Sequence, residues 1–233
     1  MRRSLAAALA AALAAASAAP PGGGAEGGRV RYDPTWASLD ARPLPPWWSD
    51  AKVGIFIHFG VFSVPSFHGE WFEFDWLGAR DPDVVAFVAA TEGPSFAYAD
   101  YAARFDATFF NATQWAQLFA ASGARYVVPT SKHHEGFCMW PSATSFEWNS
   151  VDVGPKRDII GELADATRAA GMRFGVYHSL FEWYNPLYDA DRAANWSTNS
   201  FVTGKTMPEL YDLVERYKPD IIWSDGQVPL PEP

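Results

Sequence analysis

The chain has 233 residues, 48% of them apolar, with 11 Trp and a formal net charge of −9. That length and apolar fraction place it among globular proteins large enough to bury a core. The acidic balance argues against nucleic acid as a partner, because phosphate binding draws on clustered Lys and Arg. Surplus Trp suits a surface that stacks on flat, apolar ring faces.

Residues 1–19 read as a secretory signal peptide. Arg2 and Arg3 supply the positive start, Leu5 to Ala16 the apolar stretch and Ala16-Ser17-Ala18 the small-residue cleavage site. The run is too short for a membrane anchor, so no membrane contact is expected after its removal. Residues 20–28 follow as a flexible Pro/Gly leader. Asn111-Ala112-Thr113 and Asn195-Trp196-Ser197 are glycosylation acceptors, consistent with a lumenal protein. Cys138 is the single cysteine, set among Phe137, Met139 and Trp140, and reads as a small buried hydrophobe.

Val53–Phe59 is a short apolar run ending at Gly60, and predicts a first buried strand. An aromatic-rich excursion over 61–112 follows, too long for a simple loop without a function. Gln114–Ala121 carries Trp115, Leu118 and Phe119 at helical spacing and is stopped by Gly123. Arg125–Thr130 is the second strand. Arg157–Ala170 is a helix with Ile159, Ile160, Leu163 and Ala164 on one face, closed by Gly171, and Arg173–Tyr177 is the third strand. Pro208–Lys218 is a helix with Leu210, Leu213, Val214 and Tyr217 inward, and Asp220–Trp223 is the fourth strand.

Strands too apolar to face water, alternating with helices, predict a parallel α/β sheet. The first strand lacks the Gly-rich turn of a dinucleotide-binding sheet. A (β/α)₈ TIM barrel is therefore favoured, and about its first four βα units are present. Val53, Ile55, Ile57, Val127, Phe174 and one of Ile221 or Ile222 are expected to face the barrel interior.

Three strand ends deliver polar groups: His58, the run Ser131-Lys132-His133-His134-Glu135-Gly136-Phe137, and Asp225. In a barrel these ends converge on one site. Adjacent His133 and His134 would face opposite sides of an ideal strand, so both reach one pocket only if the strand loosens there. The same adjacency disfavours a metal, whose His ligands are usually spaced to face one way. Asp152, Arg157 and Asp158 are explained by capping of the following helix. His178 and Glu182 follow the third strand and carry no assignment, nor does His68.

These motifs resemble glycoside hydrolase family 29, the retaining α-L-fucosidases, and most the animal lysosomal type. The match rests on Gly54-Ile-Phe-Ile-His-Phe-Gly60, the Ser131–Phe137 run, Asn149–Gly154 with Arg157-Asp158, Tyr177–Trp183, Lys205–Leu213 and Pro219–Gly226. It implies that residues 29–226 are the N-terminal half of a fucosidase-like barrel, releasing terminal fucose from fucosylated glycans without a cofactor. It also implies Asp225 as nucleophile, and His58, Glu70, Trp71, His133, His134 and Trp223 as the sugar-binding set. The family's acid/base carboxyl group lies beyond its nucleophile motif. Here residues 227–233 form a Pro-rich tail unlike the family, so the acid/base group and half the barrel are expected to be absent from this sequence. Two other readings stay open: an inactive fragment or fucose-binding module, and a metal-dependent barrel hydrolase using His58, His133, His134 and Asp225. Localisation is expected in the secretory pathway, lysosomal or extracellular, and self-association of longer relatives is left open.

Overall fold

A computed structural model describes residues 31–226. The expected signal peptide, leader and Pro-rich tail lie outside the described residues. The chain divides into two units, Met1–Pro45 and Pro46–Pro233. In the first, helix α1 (Trp36–Asp40) starts at Thr35, whose hydroxyl accepts from the Ser38 N–H at 3.4 Å.

The second unit holds four parallel strands, β1 (Gly54–Ile57), β2 (Tyr126–Lys132), β3 (Arg173–Ser179) and β4 (Ile221–Asp225). They pair in chain order, β1-β2-β3-β4. A doubly wound sheet reverses its order at a switch point, whereas a barrel wall runs on consecutively. The fold is α/β, and its sheet has the order of a TIM-barrel wall.

Helices α2 (Pro46–Asp50), α3 (Phe72–Leu77), α4 (Pro82–Thr91) and α5 (Asp100–Arg104) occupy the stretch before α6 (Ala112–Ala121). After β2 comes α7 (Ile159–Ala169), and after β3 come α8 (Pro186–Ala193), a π-helical turn (Val202–Thr206) and α9 (Met207–Tyr217). The caps follow from the sequence. Asn111 Oδ1 accepts from Gln114 N–H at 3.0 Å to start α6, and Asp158 Oδ1 accepts from Gly161 N–H at 2.8 Å to start α7. Among the described residues no helix is long and apolar enough to cross a membrane.

Strand alternation assigns the two faces differently from the sequence expectation. Phe174 and Val176 pack against Ile159, Ile160, Leu163 and Leu213 of the helices, and Val127, Ile55 and Ile57 pack with Ala116 and Ala124. These residues face the helix layer, not the interior. The other face carries Phe56, Tyr177 and Trp223, whose rings meet at 5.1 Å (Phe56–Trp223) and 5.6 Å (Phe56–Tyr177). Val53 precedes β1 and is exposed. On α6 the buried residues are Ala112 and Ala116, while Leu118 is exposed: small residues let this helix lie close to the sheet. On α9, Val214 is exposed, and Glu209 is buried beside Leu213 and Tyr217.

Candidate active site

The C-terminal ends of all four strands carry the candidate residues, and the end of β2 shows why both histidines reach one place. The β2–β3 register shifts between Thr130 and Lys132, a bulge-like irregularity that changes side-chain parity. Lys132 turns back behind the sheet. His133 and His134 both turn forward, with ring centroids 4.3 Å apart. His58, from the end of β1, lies 5.2 Å from His133 and 5.4 Å from Tyr177.

Asp225 ends β4 with its side chain 49% exposed. Tyr177 O–H donates to its Oδ2 at 2.7 Å, and the Gly226 N–H donates to Oδ1 at 2.7 Å. Partial burial alone would push this carboxyl up, but those two donors hold it below the usual carboxylate range. It is therefore an ionised carboxylate at neutral pH, oriented through both oxygens and open to solvent.

His134 Nε2 stands 3.7 Å from Asp225 Oδ2, yet the two are not an ion pair. Burial, reinforced by His133, drives His134 down to about 3, so it is neutral. Its tautomer follows from its neighbours. The Ser179 hydroxyl donates to the Phe181 carbonyl at 2.6 Å, so towards His134 Nδ1, 2.6 Å away, its oxygen is the acceptor. Nδ1 thus carries the proton, and Nε2 offers a lone pair to the pocket beside an anionic oxygen. A hydroxyl group reaching this place can donate its one proton to either acceptor. His58, on the rim, is held below the usual imidazole range by desolvation and by His133.

Aromatic rings wall the space. Phe181 stacks on His134 at 4.3 Å with the planes 3° apart, a contact worth about 0.5–1.5 kcal/mol beyond its buried area. Trp183 lies 5.2 Å from His134, and Trp71 lies 5.3 Å from Trp183 and 5.7 Å from His134. Glu70 lines a cleft of about 250 Å³ with His58, Phe62 and His68, the last bonded to Asp75 at 2.9 Å. Trp223 lies half exposed against Phe56.

Each residue singled out from the sequence for sugar contact thus sits at this strand-end mouth. Sequence reasoning missed Tyr177, Ser179, Phe181 and Trp183. Ending the third strand at Tyr177 hid them: two more residues of alternation put Ser179 on the same face as Tyr177, and the pairing of Tyr177 with Trp223 puts both beside Asp225. His178 and Glu182 face away from the mouth, into the buried interior behind β2 and β3. Cys138 is fully buried and free, its thiol pushed well up by burial.

The Alpha-L-fucosidase family model matches residues 25–232. Tissue alpha-L-fucosidase of Bos taurus is 55% identical over 202 residues, 87% of this chain and 43% of that protein. Plasma alpha-L-fucosidase of Homo sapiens is 53% identical over 204 residues, 87% of this chain and 44% of that protein. The crystal structure of Thermotoga maritima alpha-fucosidase in complex with fucose superposes with a TM-score of 0.74 at 38% identity, covering 84% of this chain and 49% of that one. This chain spans less than half the length of the curated relatives it matches. With the family model covering all the described residues and identities above half, the chain belongs to the alpha-L-fucosidase family.

Proposed function

We propose that the protein carrying this chain is a retaining α-L-fucosidase that releases terminal fucose from fucosylated glycans. Residues 29–226 are the N-terminal half of its catalytic barrel. The observation that carries the reading is Asp225: an ionised, half-exposed carboxylate aimed by Tyr177 and Gly226 into a mouth lined by neutral imidazole and indole.

In this reading an Asp225 oxygen attacks the anomeric carbon as the bond to the leaving oxygen breaks. Water then cleaves the glycosyl–enzyme ester. A second carboxyl group protonates the leaving oxygen first, and it is not assigned to any residue of this chain. His58, Glu70, His133 and His134 bond the fucose hydroxyls, while Trp71 and Trp223 cover its apolar face. His134 takes a hydroxyl proton at Nε2, the role its tautomer suits. In the longest form the gene encodes, Asp225→Ala should lower kcat on an aryl fucoside by at least about 10³-fold. Azide should restore turnover as fucosyl azide. Unchanged turnover sinks the assignment, and fucose binding without any wild-type turnover favours a binding module.

The tissue and plasma relatives support a lysosomal or secreted protein. Asn111 and Asn195 are its proposed glycan acceptors, and both are exposed. At Asn111 the cap uses Oδ1 and leaves Nδ2 for the sugar. A deglycosylation step that leaves gel mobility unchanged counts against both.

A further inference from the structure

Behind the pocket lies a buried group of four charges. Lys132 Nζ donates to Glu182 Oε1 at 2.8 Å and to Glu209 Oε2 at 2.7 Å. Lys205 Nζ stands 2.9 Å from Glu209 Oε1 and 3.6 Å from Glu182 Oε1. The Lys132 and Glu209 side chains are fully buried, and those of Glu182 and Lys205 nearly so. His178 Nε2 lies 3.6 Å from Glu209 but is neutral, driven down to about 3 by burial and Lys132. Two cations therefore meet two anions. A buried group of this kind adds little stability over apolar side chains of the same size, so its presence calls for another reason.

That reason lies in what Glu182 touches. Its second oxygen accepts from Asn185 Nδ2 at 2.7 Å, which fixes the carboxylate at both ends. Its side chain also passes over Gly136 so closely that a Cβ there would sit 2.8 Å from the carboxyl carbon, and Gly136 has φ +84°. Glu182 thus clasps the backbone loop that carries His133 and His134. It belongs to the turn that runs from Leu180, whose N–H donates to the Asp225 carbonyl at 2.7 Å, to Trp183, whose N–H donates to the His134 carbonyl at 2.9 Å.

We propose that Lys132 and Glu182 are positioning residues: through the Leu180–Trp183 turn they hold Trp183 and His134 where the sugar pocket needs them. They set fucose affinity without touching fucose. The inference rests on the fucose-pocket reading above. It predicts a separation that a purely structural role would not show, because removing the pair as a unit restores charge balance but not the clasp.

Lys132→Met alone leaves two buried carboxylates to share the single cation Lys205 and is expected to unfold. The deciding variant is K132M/E182M, which keeps the Lys205–Glu209 pair and replaces the other two charges with side chains of similar length. It should melt cooperatively, close to the wild type, yet bind L-fucose at least about tenfold more weakly by calorimetry. In 5-fluorotryptophan-labelled protein the Trp183 fluorine line, assigned with Trp183→Phe, should be single in the wild type and broadened or split in the double variant. A cooperatively melting double variant with wild-type fucose affinity overturns the proposal. So does one that fails to melt cooperatively, since that makes the pair structural. A wild type that binds no fucose overturns the sugar reading instead, and the Trp183 line then decides the positioning by itself.

Discussion

The front and back of one short segment, Thr130 to His134, hold polar groups on opposite terms. Behind it, Lys132 meets Glu182 and Glu209 at 2.8 and 2.7 Å, sealed from water, and every carboxylate oxygen of that pair has a donor or a cation. In front, His134 offers a bare lone pair and Asp225 is half exposed. A buried polar group left without a partner costs about 1–3 kcal/mol. The Glu182 and Glu209 carboxylates avoid that cost by pairing, and Asp225 avoids it through access to solvent, whereas the His178 ring nitrogens and His133 Nδ1 are buried without a hydrogen-bond partner. Stability should therefore respond to stranding one charge behind, and activity to changes in front or to loss of the Lys132–Glu182 clasp that positions it.

The largest effect is expected from breaking the back. Glu209→Leu removes the anion shared by Lys132 and Lys205 and should destabilise by about 3–5 kcal/mol in denaturant melts. A loss under about 1 kcal/mol would erase the contrast. Next comes the front. Tyr177→Phe deletes one hydrogen bond to a charged group, which corresponds to roughly 10- to 100-fold in kcat/KM. Because that bond helps hold Asp225 below the usual carboxylate range, the acid limb of the pH profile should move to higher pH, with the melting temperature shifted by only a few degrees. A large melting shift with an unmoved acid limb would place Tyr177 in the structural camp.

The smallest effect sharpens the border between the faces. Glu73 is pushed up to about 9 by burial and by the neighbouring Glu135 and Glu182. Its folded value lies above the unfolded 4.5, so its contribution is present below pH 4.5 and lost as pH rises towards 9. Glu73→Gln, a mimic of the neutral acid, should gain on the order of 1 kcal/mol at pH 8 and nothing at pH 4. His134 and His178 act with the opposite sign. Each is held near 3 against 6.5 when unfolded, so stability falls as pH drops between those values, by up to about 1.4 kcal/mol per unit for each. Melts at pH 4, 6 and 8 separate the two. Equal response of wild type and E73Q at pH 8 would show Glu73 ionised in the folded protein.

Sequence reading located all four strands, the helices α6, α7 and α9 and the Asp158 cap of α7, because burial on both faces leaves an apolar run that needs no partner to be seen, while the Asn111 cap of α6 was not foreseen. It failed where a face had to be chosen. Ile55, Ile57, Val127 and Phe174 look the same whether they meet helices or a barrel interior, and only the neighbouring chain decides. Val214 was expected inward on α9 by its apolarity, yet the inward place is held by Glu209, whose counter-charge sits 77 residues earlier. Asp225, His58 and the histidine pair were legible because polar groups at the ends of apolar strands stand out. Tyr177 and Trp183 were not, since aromatic residues in an aromatic-rich chain carry no mark of which face they serve. Nothing in the spacing of Lys132 foretold its two partners.

The distances along the chain within that buried group also set a schedule for the ribosome. Lys132 is made 50 residues before Glu182 and 77 before Glu209. At ordinary elongation rates of about 5–20 residues per second, its ammonium waits roughly 4–15 s for the second partner. Until Glu182 is made the ammonium has no counter-charge in this group, and an unpaired ammonium is too costly to desolvate, so the end of β2 is expected to stay wet. The histidine pair beside it stays wet for as long. On this schedule the mouth is expected to take its final shape only once α9 has been made.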